Sequence, residues 1–531
     1  MNKPLSIKKD YIIVLFIILL TAVTRIYFGE QNFGGFATDP ANFTLAAQSY
    51  SIANNRPHLP GYYLHIKIIR FVQLITRNTQ SAMIILSVAY SAIAMGFLYL
   101  LFCHWFDTKI SILLTLLIIT NPMVWFYGSV TEIYSFDLLF GILLAWLGLS
   151  PIGIYFTPLL VGLFSGIRPS SGILLVGLYS FLWYHNTKLH SFSFKKFLFS
   201  HLIGLAGFLI WFIPMINSAG GLVKYISLYS TNLPVEKPPI LQNWFGLSSY
   251  FIFLLPAYVV LIIYLVYNYF LNYKIKNGSK FKSNELEFSK NYFYLMLSWC
   301  IPPIIFFFFY LYDKGYFLLC VTPFLSLAFI LFHKKKTVIN GLVTTIILQI
   351  LIFCFLPYSK PEVQTYFSPG VRHMSIAHLW LERTGSEYLM SQSYIKAMGQ
   401  ATNEIDNIIN ALPKTFSDSM KNNYLILIDP TIPLSVRSLQ VKYPNKYFCS
   451  LLLHEPDQYM VYNKLDTKIQ NGLNNLFDKA LVISRTDFVR QYLQKIDIQS
   501  KHYGNYSVYN ATNGENEKLA NIYTYYFLRT K

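Results

Sequence analysis

Charge is scarce in this chain. Only 13% of its 531 residues are Asp, Glu, Lys or Arg, while 54% are hydrophobic. Soluble domains carry about 25% charged residues, so a wholly water-soluble fold is excluded. Cysteine is scarce too: the five are Cys103, Cys300, Cys320, Cys354 and Cys449. Four lie in or beside apolar runs and none has metal-ligand spacing, which argues against a disulfide or zinc framework. No small-residue cleavage pattern follows the first apolar run, 11–28, and its apolar core is long for a removable signal peptide. Clear internal repeats are missing as well.

What is present is apolar length. Runs of roughly 17–25 residues recur, enough to cross the hydrocarbon of a bilayer. Breaks at Pro, Gly and charge divide them into about eleven spans, near 11–28, 81–103, 110–127, 132–149, 151–167, 169–185, 198–216, 247–271, 291–311, 316–332 and 337–357. The expected fold class is a polytopic α-helical membrane protein. Its transmembrane domain covers 1–357, and a second domain covers 358–531.

The net charge of +18 does not point to nucleic acid, because many of the cations sit in short segments between apolar runs. Lys3, Lys8 and Lys9 precede the first run. With the N-terminus in the cytoplasm, the inner connections carry Lys109, then Lys188, Lys195 and Lys196, then Lys274, Lys276, Lys280 and Lys282, then Lys334, Lys335 and Lys336. That agrees with the excess of Lys and Arg in cytoplasmic loops. Three larger parts then fall outside: the loop 29–80, the loop 217–245 and everything after Pro357. The composition, rich in Asn, Lys and Ile, suits the plasma membrane of a bacterium.

The last part has ordinary polarity. Residues 424–429 and 480–484 read as buried strands, with a helix from about 486 to 495 after the second. A small extracytoplasmic α/β domain is expected, without a catalytic motif. Asp429 is an ordinary turn residue.

The loop 29–80 holds the most informative residues, Asp39-Pro40-Ala41-Asn42-Phe43 and Pro57-His58-Leu59-Pro60-Gly61-Tyr62. Asp39 with Pro40 suits an N-cap and first helical position, ahead of a helix over 41–52. A second helix is expected over 62–76, with Leu64, Ile68, Phe71, Val72 and Ile75 apolar and His65, Lys67 and Arg70 polar. Both suit amphipathic helices lying in the membrane interface. Asp39 is thus either a helix cap or a functional carboxylate. Glu132 opens a span, where a carboxylate suits a helix N-terminus. Arg168 falls between two apolar runs, where phosphate or Glu132 would be a fitting partner. Asp313 and Lys314 form a short outer turn. Together Glu30, Asp39, His58, Glu132, Arg168, Asp313 and Lys314 fall on one face, and ionisable groups at a membrane edge are by default functional. Asn42-Phe43-Thr44 and Asn510-Ala511-Thr512 match N-glycosylation sequons, a pattern that chance also produces.

At these residues the chain resembles the GT-C glycosyltransferases, which include protein O-mannosyltransferases and lipid A aminoarabinose transferases. Asp39-Pro40-Ala41-Asn42-Phe43 is similar to the acidic motif of the family's first outer loop, with Pro40 in place of a second acid. Pro57-His58-Leu59-Pro60-Gly61-Tyr62 resembles a Pro-His-Pro-Pro-Gly-Tyr motif, with Leu59 in place of a proline. Gly162 to Ser170 resembles a Gly-x-x-x-Gly-x-Arg-Pro-Ser stretch, and Gly315 to Pro323 a Tyr-x-Leu-x-x-x-Pro segment. The resemblance covers residues 1–357.

The resemblance implies an enzyme that moves a sugar from a polyprenyl-phosphate donor to an acceptor hydroxyl of a protein, lipid or glycan outside the cytoplasm, with inversion. Asp39 would be the general base. Arg168 and Lys314 would meet the departing phosphate, as a fork and a point charge. Glu132 would position the acceptor, or hold a divalent ion (Mg or Mn) with Asp39. His58 would bind the donor phosphate or brace its loop, and the flanking prolines favour the brace. Glu30 and Asp313 are accessory acids. A lipid-glycan flippase, polymerase or other transporter is the alternative, although transporter sites lie near mid-membrane. A scaffold that binds glycans through the C-terminal domain ranks behind both.

Overall fold

The structure, a computed structural model, describes residues 7–29, 38–54, 56–150, 152–190, 193–232, 254–274, 284–309, 314–330, 335–356, 391–411, 424–428, 432, 436–443, 447–453, 479–484, 500–503, 506–511 and 522–524. The chain divides into two compact units. One comprises Met1–Glu30, Ala46–Leu356 and Met390–Gln392; the other comprises Gln31–Leu45, Pro357–Leu389 and Ser393–Lys531.

The first unit is helical. Its elements are α1 (Ile7–Gly29), the end of α2 (Thr38–Gln48), α3 (Tyr63–Thr76), α4 (Thr79–Phe102), α5 (Thr108–Ile119), α6 (Pro122–Ser129), α7 (Tyr134–Gly148), α8 (Gly153–Phe164), α9 (Pro169–Leu174), α10 (Val176–His190), α11 (Phe194–Ser218), α12 (Leu222–Asn232), α13 (Leu255–Lys274), α14 (Asn284–Phe309), α15 (Lys314–Ile330) and α16 (Lys335–Phe355). The helix α4 is central and packs on α1, α3, α5, α6 and α7. Asn78 caps it, accepting from the backbone N–H groups of Gln80 and Ser81.

The outer surface of this unit is apolar, unlike that of a soluble protein. Tyr11, Ile12, Leu15, Phe16, Leu19 and Val23 lie exposed along α1, as do Phe199, Leu202, Leu205, Ile210 and Ile213 along α11. Thr21, Arg25, Ser87, Ser91, Asp137 and Arg168 are buried instead. Apolar outer surface on this scale is unstable in water and at home in lipid, where the helix satisfies its own backbone hydrogen bonds. Among the described residues three helices are long and apolar enough to cross a membrane, within Asp10–Gly29, Thr79–Phe102 and Phe194–Ala219.

Two expected spans are broken. The 110–127 run bends by 64° between α5 and α6. Asn121 makes the break, accepting from the N–H groups of Met123 and Val124 ahead of Pro122. That Asx cap begins a new helix where the old one stops. The 169–185 run divides at Leu175 into α9 and α10. In contrast, α8 and α11 pack along their lengths. A Cβ on Gly162 would overlap the carbonyl oxygen of Gly204, so the two backbones touch there. The indole of Trp211 donates to the carbonyl of Gly162 at 2.8 Å.

The second loop helix keeps part of its apolar side outward. In α3 the buried residues are His65, Ile66 and Ile69, whereas Phe71, Leu74 and Ile75 are exposed. An outward apolar face is what a helix lying in the membrane interface presents to lipid. Arg70 turns back onto α2, donating Nε to the carbonyl of Ala47 and Nη2 to that of Ala46, both at 2.9 Å.

The second unit holds a six-stranded sheet of β1 (Tyr424–Ile428), β2 (Tyr447–Leu453), β3 (Lys479–Ser484), β4 (Ser500–Tyr503), β5 (Tyr506–Ala511) and β6 (Ile522–Thr524), in the order β4-β5-β3-β1-β2-β6. The central β1 runs parallel to β2 and β3; β5 is antiparallel to β3, β4 to β5, and β6 to β2. Its core sets Ile405, Ile408 and Ile409 of α17 (Gln392–Ala411) against Ile426, Ile428, Phe448 and Ile483. A further helix, α18 (Val436–Lys442), adds Leu439 to this core. Lys442 pairs with Asp406, whose other oxygen accepts from the Tyr443 hydroxyl at 2.9 Å. Asp429 and the helix expected over 486–495 lie outside the described residues.

The first part of α2, up to Leu45, groups with this unit. The helix is assigned from Thr38 and ends at Gln48 rather than at residue 52, with Asp39 in its first turn. Asn42 of the first sequon is buried.

Candidate functional site

The first unit carries a charged pair in its interior. Asp137 sits in the first turn of α7, where the helix N-terminus favours a carboxylate. Arg168 precedes α9 in extended conformation, and Pro169 opens that helix. The guanidinium pairs with Oδ2 of Asp137, and the hydroxyl of Ser171, one turn into α9, donates to Oδ1. Both carboxylate oxygens therefore have a partner. The Arg168 guanidinium also lies over the ring of Tyr134, 4.5 Å from its centroid. Side-chain exposure is 2% for Arg168 and 0% for Asp137. Charges so far from water persist only when paired and hydrogen-bonded, which is how α7 and α9 are joined.

The turn that carries Arg168 is tied to the loop ahead of it. The backbone N–H of Leu64 donates to the carbonyl of Gly166 at 2.8 Å. His65, next in α3, is buried beside Tyr90, with 6.4 Å between ring centroids. Burial first, and then the positive charge of Arg168, push its pKa down to about 3. It is therefore neutral at pH 7. Glu132 is buried in the turn before α7, and its backbone carbonyl accepts from the Ser87 hydroxyl at 2.8 Å. In the same turn Ser135 donates to the carbonyl of Tyr127 at 2.7 Å.

His58 lies in a loop held by aromatic hydroxyls. Tyr50 donates to the carbonyl of Gly61 at 2.7 Å, and Tyr225 to that of Pro60 at 3.1 Å. Nε2 of His58 is 3.2 Å from the Tyr62 hydroxyl. The Arg56–Pro57 and Leu59–Pro60 peptide bonds are cis, and Gly61 has φ +115°, a conformation that requires glycine.

Of the residues expected at the site, Arg168 and Glu132 are buried in the first unit and His58 is half-buried there. Asp39 is half-buried and belongs to the second unit. Lys314 is the first residue of α15. Glu30 and Asp313 lie outside the described residues. Among the described residues no three His, Cys, Asp or Glu side chains converge as a metal site would require.

Asp137 escaped the sequence reading because it lies inside an expected span, 132–149. An acid within an apolar run is itself a signal of function. Arg25, near the end of α1, is a second such residue. It is fully buried, donates Nη2 to the carbonyl of Ile119 at 2.5 Å and lies over Trp125 at 5.1 Å. A cation on the last carbonyl of α5 also meets the negative end of that helix.

No protein-family model and no curated protein matches the chain. Solved structures that do match include two of ArnT from Cupriavidus metallidurans. The one bound to undecaprenyl phosphate has a TM-score of 0.54 at 9% identity, covering 94% of this chain and 97% of that one. The one in the apo state has a TM-score of 0.52 at 11% identity, covering 94% and 98%. With its apolar outer surface and these matches over almost its whole length, the chain has an ArnT-like fold, that of a multi-pass membrane protein.

Proposed function

We propose that this protein is a membrane glycosyltransferase that moves a sugar from a polyprenyl-phosphate donor to an acceptor hydroxyl on the extracytoplasmic side of the membrane. The observation that carries the reading is a fold likeness over 94% of the chain to ArnT solved with undecaprenyl phosphate. The motif resemblance around Asp39, His58 and Arg168 supports it independently, since identity to that structure is only 9%.

In this reading Asp39 removes the proton of the acceptor hydroxyl as general base. The acceptor oxygen attacks the anomeric carbon while the bond from that carbon to the phosphate oxygen breaks. The electron pair leaves with the polyprenyl phosphate, and the single displacement inverts the anomeric centre. Arg168 and Lys314 meet the charge that develops on the departing phosphate. Asp137, Ser171 and Tyr134 keep the Arg168 guanidinium in place beforehand, so little reorganisation is needed during reaction. Glu132 orients the acceptor. His58 braces its loop, in keeping with the hydroxyls that hold Pro60 and Gly61. The basic connections lie in the cytoplasm, and the acceptor is a protein, lipid or glycan of the cell envelope.

The test is transfer from a carrier-linked sugar by purified protein, together with mass spectrometry of envelope glycolipids and glycoproteins with and without it. A sugar missing from the envelope identifies the donor and acceptor classes. Asp39→Asn is expected to abolish transfer while expression and membrane insertion persist. Normal transfer by that variant removes Asp39 from the base role. Movement of lipid-linked glycan with no new glycosidic bond makes the protein a transporter.

A further inference from the structure

The helix that carries Asp39 is short, and its position depends on what holds it. An isolated helix of 11 residues is marginal, since fewer than about 12–15 residues do not sustain one in water. It buries Ala41, Phe43, Ala46 and Ala47, and the polar Asn42 lies buried among them. Within the second unit a polar contact reaches it. The guanidinium Nε of Arg437, on α18, donates to Oδ1 of Asn42 at 3.2 Å. The two residues are 395 positions apart in the chain.

Three features make this contact a hold rather than a chance encounter. Asn42 is 6% exposed and Phe43 beside it is 0% exposed, so the amide is removed from water and needs its partner. Arg437 stands on a helix whose Leu439 is buried in the sheet core, so its base is fixed. Asn42 lies three residues after Asp39, and residues at that spacing share a helix face. A tether at Asn42 therefore sets where the Asp39 carboxylate stands. In addition, the Thr44 hydroxyl donates to the carbonyl of Pro40 at 2.9 Å, tightening the turn between them.

We propose that Arg437, acting through Asn42, is a positioning residue for Asp39, so that the C-terminal unit takes part in the transfer reaction by holding the helix that bears its base. This rests on the reading of Asp39 as general base.

The experiment uses the full-length protein in detergent or nanodiscs, with Arg437→Gln, Asn42→Leu and Asn42→Asp. Amide hydrogen exchange over residues 38–45 tests the hold without reference to activity. Arg437→Gln and Asn42→Leu are expected to speed that exchange about tenfold, as local opening becomes easier. Their kcat should fall about 10- to 100-fold, the scale of an ångström-level misplacement, with donor KM within about twofold of wild type. Asn42→Asp keeps an acceptor for Arg437 and should restore most of kcat.

Unchanged exchange in both variants overturns the hold. Faster exchange with kcat unchanged overturns the positioning role. If Asp39→Asn is itself fully active, the base reading fails, while the exchange data still decide whether Arg437 holds the helix. Where Arg437→Gln does not insert in the membrane, Arg437→Lys keeps the charge without the planar fork, and the same readouts decide.

Discussion

Arg168 and Asp137 form an ion pair across 31 residues of sequence, with almost no side-chain surface of either exposed. Removing one partner leaves the other charge buried without its counter-ion, which typically costs about 3–5 kcal/mol. Asp137→Asn and Arg168→Gln should each lower the thermal midpoint of the purified protein strongly. The double variant should be less destabilised than the sum, because neither charge is then stranded. Additive losses would show that the two side chains do not depend on each other. Ser171→Ala removes one hydrogen bond to the same carboxylate and should cost less, about 1–3 kcal/mol.

His65 makes stability depend on pH. Its folded pKa is about 3, lowered first by burial and then by Arg168, against about 6.5 unfolded. Between these values the unfolded chain binds more protons than the folded one. The contribution of neutral His65 is therefore fully present above about pH 6.5 and is lost as pH falls towards 3, by up to about 1.4 kcal/mol per pH unit. Melting curves at pH 7.5 and pH 5 should show this loss in the wild type and a smaller one in His65→Gln. An equal loss in both would assign the pH dependence to other groups.

Gly162 sets the distance between α8 and α11. Gly162→Val places two methyl groups against the backbone of Gly204 and disturbs the carbonyl that Trp211 uses. Overpacking of this kind costs about 1–3 kcal/mol. A lowered thermal midpoint with an altered Trp211 environment is the expected result. Gly204→Val should act in the same way, since its Cβ would meet the backbone of Pro158.

Arg70 caps the last turn of α2 with a fork onto two carbonyls. Lysine offers one point of attachment in place of that fork. Arg70→Lys should therefore speed amide exchange at the end of α2 while leaving net charge unchanged. Exchange equal to wild type would mean that a single donor is enough.

Much of the helical unit is legible in apolar run lengths, because a bilayer demands that each crossing segment satisfy its own backbone. Tyr424–Ile428 and Lys479–Ser484 form strands where short, β-branched or bulky aliphatic runs stop at turn residues. The breaks are less legible. The cap at Asn121 interrupts a run that hydropathy reads as continuous, because hydropathy does not register a side-chain oxygen taking over backbone donors.

The sequence by itself determined that this is a multi-helix membrane protein, and it drew attention to Asp39, His58, Glu132 and Arg168 through motif and order. Only the tertiary structure decided that Asp137 is shared by Arg168 and Ser171, that His65 lies buried near that cation, and that Arg437 donates to Asn42. Hydrophobic length is a local property and survives in one dimension. The partner of a buried charge is chosen by packing between segments far apart in the chain, and no periodicity records it.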